Sequence, residues 1–299
     1  MKDSLNPRFE SISSSAKSLL LTKALTTIPF AKEAAALIWG VKNIQYPQEK
    51  LSSIGFLMRL LHFEKRYSSI DKALIEIGIK NIIELSSGFS FRGLSMCKDP
   101  RVFYIDTDLP EIIESKKGIL LELTKNFCDY PTDNLFLQAL NVLDKNDFAE
   151  TINRFPTGPV AIVNEGLLVY LNEDQKRRVC SIIYDLLREK GGYWITADVY
   201  IKKETQEPIT NGFYDEKGRR FIAEHQVEEN KFENFKSAEI FFKKCGLDVH
   251  KKVEISSGQL SSTKFLAHIP RHKLDELRSR KKIRETWILM PNDSLVETE

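Results

Sequence analysis

Four short runs carry side chains suited to holding a nucleoside-like ligand, and each follows a β-rich stretch. Asn81-Ile-Ile-Glu-Leu85 leads into Glu84-Leu-Ser-Ser-Gly-Phe-Ser-Phe-Arg-Gly93. Ser86, Ser87 and Gly88 are small enough for a ligand to approach the backbone closely, and N–H groups of the following turn can hold a carboxylate. Only Gly88 and Gly93 are glycines, so the Gly-x-Gly-x-x-Gly dinucleotide fingerprint is absent. Alone, this run fits a plain strand-to-helix turn equally well. Tyr104-Ile-Asp-Thr-Asp-Leu-Pro110 offers Asp106 and Asp108, about 20 residues after that turn, where the hydroxyls of a nucleotide ribose are held. One of the two can instead cap a helix opening at Pro110. Leu140-Asn-Val-Leu-Asp144 puts Asn141, with Val142 beside it, where a side-chain amide meets an adenine edge. Asn164-Glu-Gly-Leu-Leu-Val-Tyr170 places Glu165 and Gly166 directly after a buried apolar run. A carboxylate there is costly unless it is paired or solvated at a cleft. Four strand ends offering acid, amide and small residues together point to a nucleoside-type ligand.

The elements that must position these runs follow from apolar patterning. Runs at 81–85, 102–106, 135–140, 160–164 and 192–198 are short, β-rich and apolar. The intervals 109–127 and 173–190 have helical length, so a parallel sheet covered on both faces is expected. The first 70 residues read as helical, with candidates at 13–21, 30–41 and 54–66. A helix near 237–245 and strands at 249–255 and 265–268 are expected to close the sheet as an antiparallel edge pair. One domain over residues 1–299 is the simplest parse. It has a helical cap (1–70), a ligand-binding core (80–198), a lid (199–236), a closing helix with edge strands (237–270) and a tail (271–299). In that tail, Leu274, Leu277 and Ile283 have the spacing of a short surface helix, with Trp287 and Leu289 docking after it.

Bulk properties exclude some partners. The 299 residues are 42% hydrophobic and 29% charged, with a net charge of +2. That balance suits a globular chain and lacks the basic excess of a nucleic-acid binder. Lys23, Lys32 and Glu33 interrupt the apolar stretch from Ser18 to Val41, so neither a membrane span nor an export signal is expected. Cys97, Cys128, Cys180 and Cys245 are far apart and read as small buried apolar residues in the cytoplasm, with no metal site implied.

On these residues the chain resembles the leucine carboxyl methyltransferase family, which includes polyketide carboxyl O-methyltransferases of the tetracenomycin type. Ser14-Ser-Ala-Lys17, Glu84-Leu-Ser-Ser-Gly-Phe-Ser-Phe-Arg92, Tyr104-Ile-Asp-Thr-Asp-Leu-Pro110 and Glu165-Gly-Leu-Leu-Val-Tyr-Leu171 match in order. The likeness spans about Ser13 to Asp198. It implies an α/β, Rossmann-like class I methyltransferase fold: a mostly parallel seven-stranded sheet with helices on both faces, an N-terminal helical extension and a lid insertion after strand five. It further implies S-adenosylmethionine as cofactor. By position, Lys17 and Arg66 resemble the residues holding the cofactor carboxylate, Gly88 the close-approach glycine and Asp108 the ribose acid. Glu165 resembles the residue near the amino group and the transferred methyl. Ser86 and Ser87 depart from the family's Gly and Ala, and Asn141 from its aspartate. Glu84, Asp106, Val142 and Gly166 complete the expected cofactor set.

For the acceptor, a carboxylate is ionised at neutral pH and needs no base, whereas a phenol does. His62, His225, His250, His268 and His272 lie outside the matched runs and read as structural. The expected acceptor is therefore an acid, on a small molecule or at a peptide C-terminus. Arg219, Arg220 and Tyr170 are the acceptor-side candidates, and Phe213, Tyr214 and Phe221 could wall an apolar pocket. The competing readings are a nicotinamide-dependent oxidoreductase, which lacks its glycine fingerprint here, and an inactive cofactor-binding interaction protein.

Overall fold

The computed structural model describes residues 12–39, 51, 53–126, 132–202, 216–272, 274–275 and 281–292, with backbone alone at 12–15, 217 and 268. The five apolar runs form β1 (Asn81–Leu85), β2 (Phe103–Asp108), β3 (Leu135–Ala139), β4 (Val160–Asn164) and β5 (Gly192–Tyr200), paired in parallel. Every residue of β1 and β4 is buried, as strands covered on both faces require. The sheet order is β3-β2-β1-β4-β5-β7-β6, with β6 at Leu247–Val253 and β7 at Arg284–Pro291. Chain order reverses between β1 and β4, which opens a crevice at their carboxyl ends.

Helices cover both faces. On one lie α1 (Ile12–Lys23), α2 (Ala31–Trp39), α3 (Ile54–Ile77), α4 (Arg92–Met96) and α5 (Pro110–Asn126), packed on Ile82, Tyr104, Ala161, Ile195 and Ile288. On the other, α6 (Lys145–Ile152), α7 (Glu173–Lys190) and α9 (Phe235–Lys244) pack on Ile83, Ile105, Ile162, Trp194 and Leu289. A further helix, α8 (Glu216–Glu224), lies in the expected lid. Local sequence sets several of their ends. Asn172 and Gln175 form a capping box on α7, Asp144 caps α6, and Gly78 ends α3 at φ +66°. Among the described residues no helix is long and apolar enough to cross a membrane.

The end of the chain departs from the expected order. Residues 265–268 are not a strand. They belong to a 3-10 stretch, Ser261–His268, whose start is held by the Glu64 carboxylate accepting from the Ser261 and Ser262 N–H groups at 2.8 and 2.9 Å. The strand lies instead in the expected tail. β7 runs antiparallel between β5 and β6, so Trp287, Ile288 and Leu289 fill the sheet core rather than dock on a surface. The closing pair is therefore 247–253 with 284–291, and the edge belongs to β6 alone. A continuous apolar run flanked by charge fits a strand buried on both faces as well as a docking segment. Arg271, His272, Leu274 and Asp275 are helical, but Ile283, the third residue of that spacing, is not and directly precedes β7, while Leu277 lies outside the described residues.

Candidate active site

Glu165, one residue past β4, is the hub of the crevice. Its Oε1 accepts from Lys23 Nζ at 2.6 Å and Arg66 Nε at 3.1 Å, and its Oε2 from Arg92 Nη2 at 3.3 Å. Burial pushes this carboxyl up, but the Lys23, Arg66 and Arg92 charges outweigh it and hold it well below the usual carboxylate range. Arg92 also meets Glu84 and, at 2.7 Å, Asp71, and Glu84 accepts from the Tyr104 hydroxyl at 2.7 Å. Charges from α1, α3, α4, β1 and the β4 end thus close on one another.

The turn carrying Glu165 is held from β5. The β5–β7 register shifts between Thr196 and Val199, and Asp198 sits in that irregularity. Its carboxylate accepts from the N–H groups of Gly166 (2.7 Å), Leu167 (2.6 Å) and Leu168 (3.2 Å), and from the Asn164 amide (2.6 Å). Gly166 has φ +88°, and a Cβ there would stand 3.3 Å from the Arg66 guanidinium, so glycine is required twice over.

The β1 turn is equally tight. Ser86 adopts φ +50° and Gly88 φ +54°, and Asp108 Oδ2 accepts from the Gly88 N–H at 2.6 Å. The other Asp108 oxygen accepts from Leu109 N–H at 2.7 Å, and burial raises this carboxyl despite the two backbone donors. Gly88 and Asp108 therefore sit together at the mouth, as expected. Asp106 does not. It is 1% exposed and ion-paired with Lys116 at 2.8 Å, a buried strut between β2 and α5 set one step further in from the crevice.

Glu84 is likewise fully buried beneath the turn, spent on Arg92 and Tyr104. Asn141 is exposed at the β3 end, where its Oδ1 accepts from Leu143 N–H at 3.1 Å, and Val142 is buried beside it. Lys17 is exposed on α1, and the cation that reaches Glu165 from that helix is Lys23. Sequence reasoning missed Lys23 because it lies outside the Ser-Ser-Ala-Lys run. A lysine six positions further along a largely apolar helix was the available signal.

No family model matches the chain, and no curated protein matches it. Solved structures do. A DUF574 family protein from Streptomyces avermitilis is 14% identical, with 92% of this chain and 97% of that chain covered at a TM-score of 0.51. Magnesium protoporphyrin IX methyltransferase from Synechocystis, with bound S-adenosylhomocysteine, is 7% identical over 89% and 96% of the two chains at 0.48. An O-methyltransferase from neocarzinostatin biosynthesis, in complex with S-adenosyl-L-homocysteine and 1,4-dihydroxy-2-naphthoic acid, is 11% identical over 93% and 70% at 0.46. At such identities the likeness is one of architecture. What is shared is a mostly parallel, Rossmann-like seven-stranded sheet covered by helices on both faces.

A second cluster lies where β5 and β7 meet. Tyr200 ends β5, and its hydroxyl lies 2.7 Å from His62 Nε2 and 3.3 Å from Arg66 Nη1. Burial, then the charges of Arg284, Arg66 and Lys231, hold His62 well below its ordinary value, so its ring is neutral at pH 7. Neither His62 nor Tyr200 is in the sequence-derived set; only tertiary packing joins α3 to the end of β5. Tyr170 stacks edge-on with Phe221 and His225 at 5.9 and 6.0 Å between centroids, so the lid helix α8 leans on the turn after β4. Arg219 and Arg220 are exposed, and Arg220 pairs with Glu216 one turn away at 2.6 Å. Phe213 and Tyr214 lie outside the described residues.

Proposed function

We propose that this chain is an S-adenosylmethionine-dependent O-methyltransferase whose acceptor is a carboxylate, on a small molecule or at a peptide or protein C-terminus. One observation carries the reading: Glu165 at the switch-point crevice, surrounded by Lys23, Arg66 and Arg92. An amino-acid head group carries an ammonium and a carboxylate. Glu165 suits the first, and Lys23 with Arg66 suits the second, as charge-assisted hydrogen bonds are the strong ones. The residues present fit the cofactor further. Gly88 and Gly166 leave their turns without side chains at left-handed backbone positions, and Asp108 offers a carboxylate at the β2 end for ribose hydroxyls. Bound there, S-adenosylmethionine supplies an electrophilic methyl group on sulfur.

The chain's own part is alignment and charge. Asp198 fixes the 166–168 backbone and so aims Glu165, while Arg66 ties Glu165 to Tyr200 across the two halves of the crevice. Holding acceptor oxygen and methyl in line is worth up to roughly 7–11 kcal/mol of barrier. A carboxylate acceptor arrives ionised, so no residue has to remove a proton.

Calorimetric titration of the full chain with S-adenosylmethionine, S-adenosylhomocysteine and NADH tests the reading. The two adenosyl compounds are expected to bind, and Glu165→Gln is expected to weaken them at least tenfold, about 1.4 kcal/mol. Binding of NADH alone would overturn the assignment. Labelled cofactor incubated with cell extract should then leave the label as a base-labile methyl ester; base-stable label would remove the carboxylate.

A further inference from the structure

Beside Tyr200 lies a buried guanidinium with no carboxylate partner among the described residues. Arg284 opens β7 directly opposite Tyr200, and antiparallel partners project to the same face. It is 8% exposed. Its Nη1 donates to the Ala197 carbonyl at 3.2 Å and to Thr286 Oγ1 at 2.7 Å. Its Nε and Nη2 make no hydrogen bond among the described residues, yet neither is sealed from solvent. The anions that act on it are spoken for: Asp198 by the backbone of the 166–168 turn, and Glu165 by Lys23, Arg66 and Arg92. A buried charge is ordinarily paired, so an arginine left with two neutral acceptors is an unfilled anion site.

The cations around it are already paired, Arg66 with Glu165 at 3.1 Å and Lys231 with Glu228 at 2.6 Å, which leaves Arg284 as the one of this group without a carboxylate among the described residues. Arg66 reaches the Tyr200 hydroxyl, Lys231 lies 5.9 Å over the Tyr200 ring, and His62 completes the wall with a hydroxyl-bonded imidazole. A sulfonium cofactor with a zwitterionic head group adds net positive charge to this crevice. An anionic acceptor restores the balance, and a neutral alcohol does not. A guanidinium fork with two unused edges also matches a carboxylate in shape.

We propose that Arg284, with the Tyr200 hydroxyl and His62 beside it, receives the carboxylate of the methyl acceptor. Arg284, not Arg219 or Arg220, is then the residue that selects an organic acid as substrate class. This rests on the methyltransferase reading above.

The test uses the full chain saturated with S-adenosylhomocysteine and titrated calorimetrically with benzoate and, as the neutral counterpart, benzyl alcohol. Benzoate is expected to bind at least tenfold more tightly than the alcohol. Arg284→Gln should weaken benzoate at least tenfold and leave S-adenosylhomocysteine within twofold; Arg284→Lys, which keeps the charge but loses the fork, should fall between. As a local probe, benzoate should raise the midpoint of the His62 ring titration followed by NMR, because it screens Arg284. If Arg284→Gln fails to fold, the lysine variant and the His62 shift decide. The proposal is overturned by benzoate binding no better than the alcohol, by affinity indifferent to residue 284, or by an unmoved His62. Failure to bind S-adenosylhomocysteine would sink the methyltransferase reading instead. Arg284-dependent benzoate binding to the chain alone would still stand as an anion site.

Discussion

On the floor of the crevice, beneath β1, β2 and β4, buried cations meet carboxylates. Lys23, Arg66 and Arg92 meet Glu165, Arg92 meets Glu84 and Asp71, and Lys116 meets Asp106. On the wall formed by β5, β7 and α7, buried cations meet neutral oxygen. Arg284 donates to a carbonyl and a hydroxyl, and Lys176 of α7 to the Asn230 carbonyl. The floor holds its shape without a ligand because each charge is compensated from within. At Arg284 and Lys176 the wall carries charge that meets no carboxylate among the described residues. That contrast suggests a division of labour: a rigid floor that positions a cofactor, and a wall whose electrostatics depend on what enters.

The largest effect should come from removing what both regions share. Truncation after Pro270 deletes β7, which separates β5 from β6 and carries Trp287, Ile288 and Leu289 into the core. Loss of cooperative thermal unfolding is expected by calorimetry, and melting like that of the full chain would refute the sheet order. Next in size is Arg92→Met. It strands Glu84, which is 0% exposed, removes the charge partner of Asp71 and leaves Glu165 with Lys23 and Arg66. Breaking such a pair from one side costs about 3–5 kcal/mol, measurable by urea unfolding. The comparison predicts that Arg284→Met costs far less. Its partners are a neutral carbonyl and a hydroxyl, and Thr286 Oγ1 keeps the Ser69 hydroxyl at 2.6 Å, so equal losses would erase the distinction between floor and wall.

How much of this was legible in the sequence differs between the same two regions. The parallel core was plain, because strands buried on both faces write continuous apolar runs and their turns use small residues. Glu165, Gly88 and Asp108 followed, being at strand ends whose order fixes a cleft, whereas Arg66, in the middle of α3, was named only through the family resemblance. Asp106 misled because it and Asp108 are two apart and share a face of β2, so only depth separates them: Asp108 ends the strand, while Asp106 lies one step further in, where Lys116 of α5 reaches it. Lys17 misled for another reason: helical phase decides which lysine of α1 faces the crevice, and Lys23 has it. The wall was largely illegible. Arg284 sits at the end of a basic run that resembles a solvated tail, and its environment is made by β5, α3 and a sheet partner 84 positions earlier. No local pattern encodes such a meeting. The charged loop with Arg219 and Arg220 drew notice instead, since two adjacent arginines are visible in sequence while burial is not.

The smallest and most specific effect concerns Lys176. It is 5% exposed, lies 5.1 Å over the Phe232 ring and donates to Asn230. Burial pulls its ammonium down from 10.5 to about 8. The folded value lies below the unfolded one, so between about 8 and 10.5 the unfolded chain binds more protons and stability rises with pH. Below that window the folded chain bears the full cost of a buried ammonium. Denaturant melts at a series of pH values should show this rise in the wild type and a flattened profile in Lys176→Met. Floor residues should contribute a rise of the same sign at the acid end, from a charge that folding favours rather than one it penalises. Glu165 is held well below its ordinary range, so the stability it contributes is present above the unfolded carboxyl value and lost as pH falls through the folded one. Lys23 and Lys65, which burial also lowers, keep a smaller rise in that variant. A Lys176→Met profile as steep as the wild type's would therefore mean that Lys176 bears no cost of burial and would weaken the contrast between wall and floor.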